Sequence, residues 1–203
     1  MDDRAPRNPF PTLIAAAALA LACAGGAATA APATTDPSPA GARAGLALAS
    51  AAAQAWSGDA TLVYVENDDA LEAGGRGPAD GACERWGYLF YSAVQDRARV
   101  WSVRGGKIAT AENLDMRFDA PPVAAGWLDS GAALAAAERG GGAEFRAAHR
   151  GAHLETMLLM RGAFSEGDPD ATTWTFVYRA SGEPSLFVVV SATDGKVQRT
   201  WRG

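Results

Sequence analysis

Two stretches in different halves of this chain share one order of aromatic, strand-forming and turn residues. The stretch Trp86–Ile108, WGYLFYSAVQDRARVWSVRGGKI, aligns with the stretch Trp174–Val197, WTFVYRASGEPSLFVVVSATDGKV. The second stretch is longer by one residue, in the hairpin loop or the strand after it, where changes in length are tolerated. The chain is therefore predicted to contain an internal repeat, which restricts it to folds that can be built from two similar units.

Each copy predicts antiparallel hairpins. The strand after the aromatic one is apolar and β-branched, and it ends at Gly105-Gly106 in the first copy and at Asp194-Gly195 in the second. These dipeptides favour tight turns because both central positions need a positive φ, so a further strand is expected after each. Alternation at period two places the aromatic residues on one face of their strand, where we expect them to form core. They are Trp86, Tyr88 and Phe90 in the first copy, and Trp174, Phe176 and Tyr178 in the second.

A helix and one more strand are predicted before each hairpin. In the second copy, Asp129 or Ser130 is the expected N-cap, and the glycines Gly140–Gly142 are expected to end the helix. The segment His153–Met160 then reads as a strand. Its residues Leu154, Thr156, Leu158 and Met160 are expected on one side.

The same order occurs in the first copy, with a helix at 45–55 and a strand from Ala60. A helix laid across an antiparallel sheet buries one face of that sheet. The sequence therefore predicts fold class α+β, with two tandem repeats that each consist of a helix packed on an antiparallel sheet of about four strands.

The repeats give a division of the chain. We expect repeat 1 at 44–119, a linker at 120–128 and repeat 2 at 129–203. Each repeat has about 80 residues, near the size at which a single core is marginal, so we expect the two repeats to pack on each other. Trp127 is the expected packing residue between them, and truncation of either repeat is expected to unfold both.

The first residues have the pattern of an export signal. An apolar run extends from Leu13 to Cys23 after two arginines, which predicts a signal peptide at 1–22. The end of that run, ALAC, resembles the lipobox of bacterial lipoproteins, and this predicts lipidation of Cys23. Alternatively the peptide is cleaved after Ala30, which gives a periplasmic or secreted protein. An uncleaved membrane anchor is the weaker alternative, since the residues after Cys23 are only weakly apolar.

The segment after the signal is expected to be a tether. Residues 23–43 form the lipidated tether or linker, and within them Ala31–Ala42 is rich in Pro, Ala and Thr and is expected to be disordered. The chain has a net charge of −5 and no basic run, which argues against binding to nucleic acid or to an anionic membrane surface. Membrane contact is expected only through the lipid anchor.

The stretch FVVVSATDGKV, Phe187–Val197, carries a family resemblance. An apolar strand, a small residue and Asp-Gly-Lys-Val, preceded by an aromatic strand and by a helix with glycines, resembles a PepSY-type domain. The tandem arrangement is similar to that of bacterial lipoproteins with PepSY-like repeats. This resemblance implies an α+β domain that binds peptides or restrains proteases, without catalytic residues.

Both histidines of the chain lie in one polar cluster, His149, His153 and Glu155. Histidines four residues apart on a helix can share a metal ion, but Gly151 interrupts the segment, so a solvated or edge-strand cluster is the favoured interpretation. No metal site, other cofactor or catalytic residue is predicted; Ser165, for example, lacks the flanking glycines of a hydrolase elbow.

Two other features receive a structural interpretation. Cys83 is the one thiol expected for the exported protein besides Cys23, and a small buried side chain is favoured over an intermolecular disulfide. The acidic stretch Glu66–Glu72 lacks the spacing of a calcium loop and is interpreted as a solvated loop.

These observations predict a non-enzymatic lipoprotein of the cell envelope that binds a protein or peptide partner. An antiparallel sheet with an open edge supports this role because it can accept an added strand. One alternative is a secreted protease inhibitor or propeptide-like module. Another is a metal-dependent hydrolase that uses His149, His153 and Glu155. The oligomeric state is left open.

Overall fold

The structure, a computed structural model, describes residues 38–68, 80–114, 118, 120–162, 168 and 170–203. The signal peptide at 1–22, Cys23 and Ser165 lie outside the described residues. The first half contributes α1 (Leu46–Trp56), β1 (Thr61–Asn67), β2 (Arg85–Ser92), β3 (Arg97–Arg104) and β4 (Lys107–Asn113). The second contributes α2 (Ser130–Ala137), a π-helical turn (Glu138–Gly142), α3 (Ala143–Ala148), β5 (His153–Arg161), β6 (Thr172–Arg179), β7 (Leu186–Ser191) and β8 (Val197–Arg202).

All eight strands form one antiparallel sheet, in the order β4-β3-β2-β1-β5-β6-β7-β8. The predicted fold class, two repeats that each have their own sheet of about four strands, is therefore wrong. The first strand of each half has only one neighbour within its own half, and these two strands pair with each other through Tyr64–Met160, Val65–Leu159 and Glu66–Leu158. Pairing removes two exposed sheet edges, which would otherwise present unsatisfied backbone groups.

The Asn67 side chain strengthens this junction. It is buried, its Oδ1 accepts a hydrogen bond from the Met157 amide at 2.5 Å, and its Nδ2 donates to the Glu155 carbonyl at 3.3 Å. Asn67 thus extends the connection between β1 and β5 beyond the three paired residues.

One face of the sheet is covered by the helices, and we call the opposite face the helix-free face. The helix α1 contacts β2, β3 and β4, while α2 contacts β6 and β7. Both aromatic triplets are buried in the core under the helices, as predicted. Trp127 is also buried there, with its ring centroid 5.8 Å from that of Trp174.

The glycines after α2 do not end the helical segment. Asp129 caps α2 by accepting a hydrogen bond from the Ser130 amide, as predicted, but the chain continues through the π-helical turn into α3. Gly141 lies at a kink between α2 and α3 and has a φ of 125°, which glycine adopts readily because it has no Cβ. At Gly142 a Cβ would collide with the Tyr178 ring, so glycine permits close packing on the sheet.

The predicted alternation along β5 is wrong beyond its first residues. The pairing with β6 shifts between Leu154 and Thr156, which is the mark of a β-bulge. Because a shift of one residue exchanges the two faces, Met157 and Leu159 join Leu154 in the core under the helices. Leu158 consequently lies on the helix-free face.

The end of the predicted tether is ordered. Ala40 forms an isolated antiparallel bridge with Cys83, with both backbone hydrogen bonds at 2.9 Å. Ala42 is fully buried, and its amide donates to Ser130 Oγ at 3.0 Å. The expectation of disorder is therefore wrong for residues 40–42, because Ala40 pairs with Cys83 and Ala42 is buried.

Candidate functional site

Two strands form the edges of the sheet in the part of the chain that the structure describes, β4 and β8. An edge strand has backbone N–H and C=O groups that no neighbouring strand satisfies, and it can pair with a strand of another molecule. The side chains of the edge decide whether such pairing is obstructed.

The β4 edge is exposed and its central side chains are small. The strand reads KIATAEN; five of its seven residues are exposed, and the other two are half-buried. The centre consists of Ala109, Thr110 and Ala111. No proline interrupts it, and Ile108 adds an exposed apolar side chain. Little in the side chains would obstruct an added strand.

The hydrogen-bond pattern shows which groups of β4 face outward. The Leu114 amide donates to the Ala98 carbonyl at 3.0 Å, and hydrogen-bonded pairs alternate along an antiparallel ladder. Ala111 and Asn113 therefore occupy the positions whose N–H and C=O point away from β3. The Ala111 carbonyl accepts a weak hydrogen bond from Arg99 Nη2 at 3.4 Å. The outward N–H of Ala111 lies in the middle of the accessible edge.

The β8 edge carries bulky and charged side chains. Its sequence is VQRTWR; Trp201 stacks on Phe187 with ring centroids 4.9 Å apart, and Arg199 lies 4.8 Å above the Trp201 ring. Arg202 lies 5.1 Å from the centroid of Phe145. Charged side chains are a common means of protecting an edge. Of the two edges, β4 is thus the less protected.

The His149 side chain contacts residues outside the predicted cluster. It follows α3, with Nδ1 3.7 Å from Glu183 Oε1 and Nε2 3.2 Å from Arg202 Nη2. An arginine at this distance can only donate, so Nε2 acts as an acceptor.

His153 and Glu155 lie on β5 and also have other partners. His153 Nδ1 is 3.1 Å from the Gly151 carbonyl, and Glu155 forms an ion pair of 2.8 Å with Arg179. The described residues contain no group of three or more His, Cys, Asp or Glu that could hold a metal ion. The predicted cluster is therefore not brought together.

Sequence reasoning missed a half-buried carboxyl on the helix-free face. Glu66 lies in β1, not in a solvated loop, and Tyr64 donates its hydroxyl to Glu66 Oε2 at 2.7 Å. Burial, together with the nearby Asp68 carboxylate, raises the pKa of Glu66 to about 7 although the Tyr64 hydrogen bond opposes this. The usable sequence signal was the alternation within TLVYVEN, which puts Glu66 on the face of Tyr64. Asp69 and Glu72, which belong to the same acidic stretch, lie outside the described residues.

Asp68, beside Glu66, is paired with other groups. Arg85 Nε lies 2.9 Å from Asp68 Oδ2, and the Ser102 hydroxyl donates to the same oxygen. Cys83 is 2% exposed and belongs to the core under the helices, in keeping with its interpretation as a small buried side chain.

Comparison with known proteins gives a distant structural likeness. A solved structure described as a candidate lipoprotein from Clostridium difficile 630 is similar to this chain with a TM-score of 0.49 and 10% identity, over 84% of this chain and 96% of that chain. No family model and no curated protein matches the chain. The resemblance to PepSY-type domains therefore stays a prediction. No helix among the described residues is long and apolar enough to span a bilayer.

Proposed function

We propose that this protein is a non-enzymatic component of the cell envelope, anchored by a lipid on Cys23, that binds an extended segment of a protein partner along β4. The proposal of export and lipidation is supported by the apolar run that ends in ALAC. The tether between Cys23 and the sheet would hold the binding edge away from the membrane surface.

The observation that carries the binding proposal is the outward backbone of Ala111 and Asn113 on an exposed edge of small side chains. An extended peptide placed beside β4 gains main-chain hydrogen bonds at these positions, independently of its sequence. Side chains of the peptide would meet Ile108 on one face and Glu112 on the other, which provides selectivity. The PepSY resemblance is in keeping with this role, since it implies peptide binding.

Selection of displayed random peptides against the purified chain tests the proposal. Ala111→Pro removes the outward N–H without removing a hydrogen bond to β3, and it is expected to abolish binding of the selected peptides. Thr200→Pro is the control for the other edge, because the reciprocal hydrogen bonds of Ser185 with Gly203 place the backbone N–H of Thr200 outward on β8. It also removes the hydroxyl that donates to the Gly140 carbonyl, so the folded state of this variant is checked by circular dichroism. Peptides that bind Ala111→Pro as well as they bind the unmodified chain would contradict the proposal.

A further inference from the structure

The Glu66 carboxyl lies near the centre of the sheet without a cation of its own. Among the described side chains none of the ion pairs includes Glu66, and the nearby Arg85 is held by Asp68. Glu66 Oε2 accepts the Tyr64 hydroxyl, whereas Oε1 has no hydrogen-bond partner among the described residues. Glu66 is half-buried, and a carboxyl that is partly removed from water without a compensating charge is found preferentially at functional sites.

A side chain is missing directly beside this carboxyl. Gly87 pairs with Glu66 on one side and with Ser102 on the other, so the three form a row across β1, β2 and β3. A Cβ at Gly87 would lie 3.6 Å from Glu66 Cγ and 4.0 Å from Val100 Cγ2, which is ordinary contact. The row therefore has room for at least one carbon atom next to the carboxyl stem.

Several neighbours of Glu66 are apolar, while Ser102 of the same row and the Asp68–Arg85 pair are polar. Leu158 pairs with Glu66 from β5, and Leu89 pairs with Tyr64 from β2. These side chains and Val100 suit an aliphatic stem, while a carboxylate oxygen suits an ammonium group that donates hydrogen bonds. We infer that Glu66 and the gap at Gly87 form a binding site for a primary alkylammonium group, carried by a small amine or by a lysine side chain.

This inference does not depend on peptide binding at β4, since Ala111 lies on the far side of β3 from Gly87. Among the described residues, the titratable or charged groups near Glu66 are Tyr64 of the same strand, Asp68 directly after that strand, and Arg85 of β2. Burial and Glu66 hold the pKa of Tyr64 well above its usual value, so Tyr64 stays protonated. Glu66 is then the group whose ionisation creates the site.

Titration of the purified chain with n-butylammonium chloride, followed by the carbon-13 NMR signal of the Glu66 carboxyl, tests the inference. We expect saturable binding at pH 8.5, and binding on the order of thirtyfold weaker at pH 5.5, where a carboxyl of this pKa is mostly protonated. The neutral n-butanol, of the same length, is expected not to bind. Equal binding of butanol, or equal affinity at both pH values, would overturn the inference.

Two variants test the contributions of the Glu66 carboxyl and of the gap at Gly87 independently. Glu66→Gln keeps the shape of the side chain and is expected to abolish butylammonium binding, observed through the amide signals of β1 and β2. Gly87→Ala is expected to weaken binding, because its Cβ occupies the gap without a clash, whereas Gly58→Ala, which has open space around it, leaves binding unchanged. Unaltered affinity in Glu66→Gln, or in Gly87→Ala, would refute the proposed site. Retention of binding in Ala111→Pro is expected, and it keeps this test distinct from that of β4.

Discussion

The indole rings of Trp86 and Trp174 meet edge to face, with centroids 6.1 Å apart, although they belong to strands of different halves of the sheet. Each indole N–H donates a hydrogen bond of 2.8 Å to a backbone carbonyl, that of Ala40 for Trp86 and that of Leu128 for Trp174. Each carbonyl belongs to the segment that leads into the first helix of its half. The two tryptophans thus fix both helical segments to one shared core.

The contact between these tryptophans predicts energetic coupling of the two halves. Trp86→Leu and Trp174→Leu are each expected to destabilise the protein, and their coupling in a double-mutant cycle is expected to be about 0.5–1.5 kcal/mol. Chemical denaturation of the four proteins measures this value. Strictly additive effects, or two separate unfolding transitions, would show that the halves do not share a core.

Asn67→Ala is expected to destabilise the protein by about 1–3 kcal/mol, since it leaves the buried Met157 amide and Glu155 carbonyl without the partner described above. Asn113→Ala is the matched control, because Asn113 lies exposed on the β4 edge. The midpoints of denaturant-induced unfolding of the two variants measure this difference in stability. Equal effects of the two substitutions would argue against a structural role of Asn67 at the junction.

Glu66 predicts a specific dependence of stability on pH. Its pKa is raised by folding from 4.5 to about 7, so between these values the folded state binds more protons than the unfolded state. The free energy of unfolding is therefore expected to fall as the pH rises through this window, by up to about 3 kcal/mol. Glu66→Gln should remove this part of the pH dependence, and at pH 8 it should be more stable than the unmodified protein. The same dependence of unfolding free energy on pH in both proteins would contradict the assignment of this effect to Glu66.

Gly142→Ala tests the close approach of the helical segment to β6. Its Cβ would collide with the Tyr178 ring, so displacement of one element is expected to cost about 1–3 kcal/mol. Gly58→Ala, with open space around the new methyl group, should cost far less. Thermal unfolding of both variants provides the measurement, and a similar midpoint for the two would mean that the segment adjusts freely.

The predictable part of the fold was local. Period-two alternation identified the aromatic strands, and Asp129 was found as a cap from its position before an alanine-rich run. The pairing of β1 with β5 was not visible, because it joins residues far apart in sequence whose side chains give no sign of being neighbours. The sequence predicts that glycines 140–142 end the helix, whereas in the structure their lack of side chains permits close packing on Tyr178 and Val197. The bulge after Leu154 likewise depends on its partner strand.

The candidate site could not be predicted from the sequence either, because it also depends on contacts between distant parts of the chain. The residues of KIATAEN are ordinary for a strand, and only the sheet order shows that this strand is an edge. The acidic residues that follow Glu66 in sequence favour a loop, although the alternation of Glu66 with Tyr64 places Glu66 on a sheet face. His149, His153 and Glu155 are close in sequence but are separated by the end of α3 and by the bulge in β5.

Amide hydrogen exchange of β4, with and without a selected peptide, tests the proposed function most directly. The amides of Ala111 and Asn113 are expected to exchange fast in the free protein, because no described strand pairs with them, and to become protected when an added strand binds. The Glu112 amide, which already faces β3, should change little. Protection confined to β8 or to the helices, with unchanged exchange at Ala111, would contradict strand addition at β4.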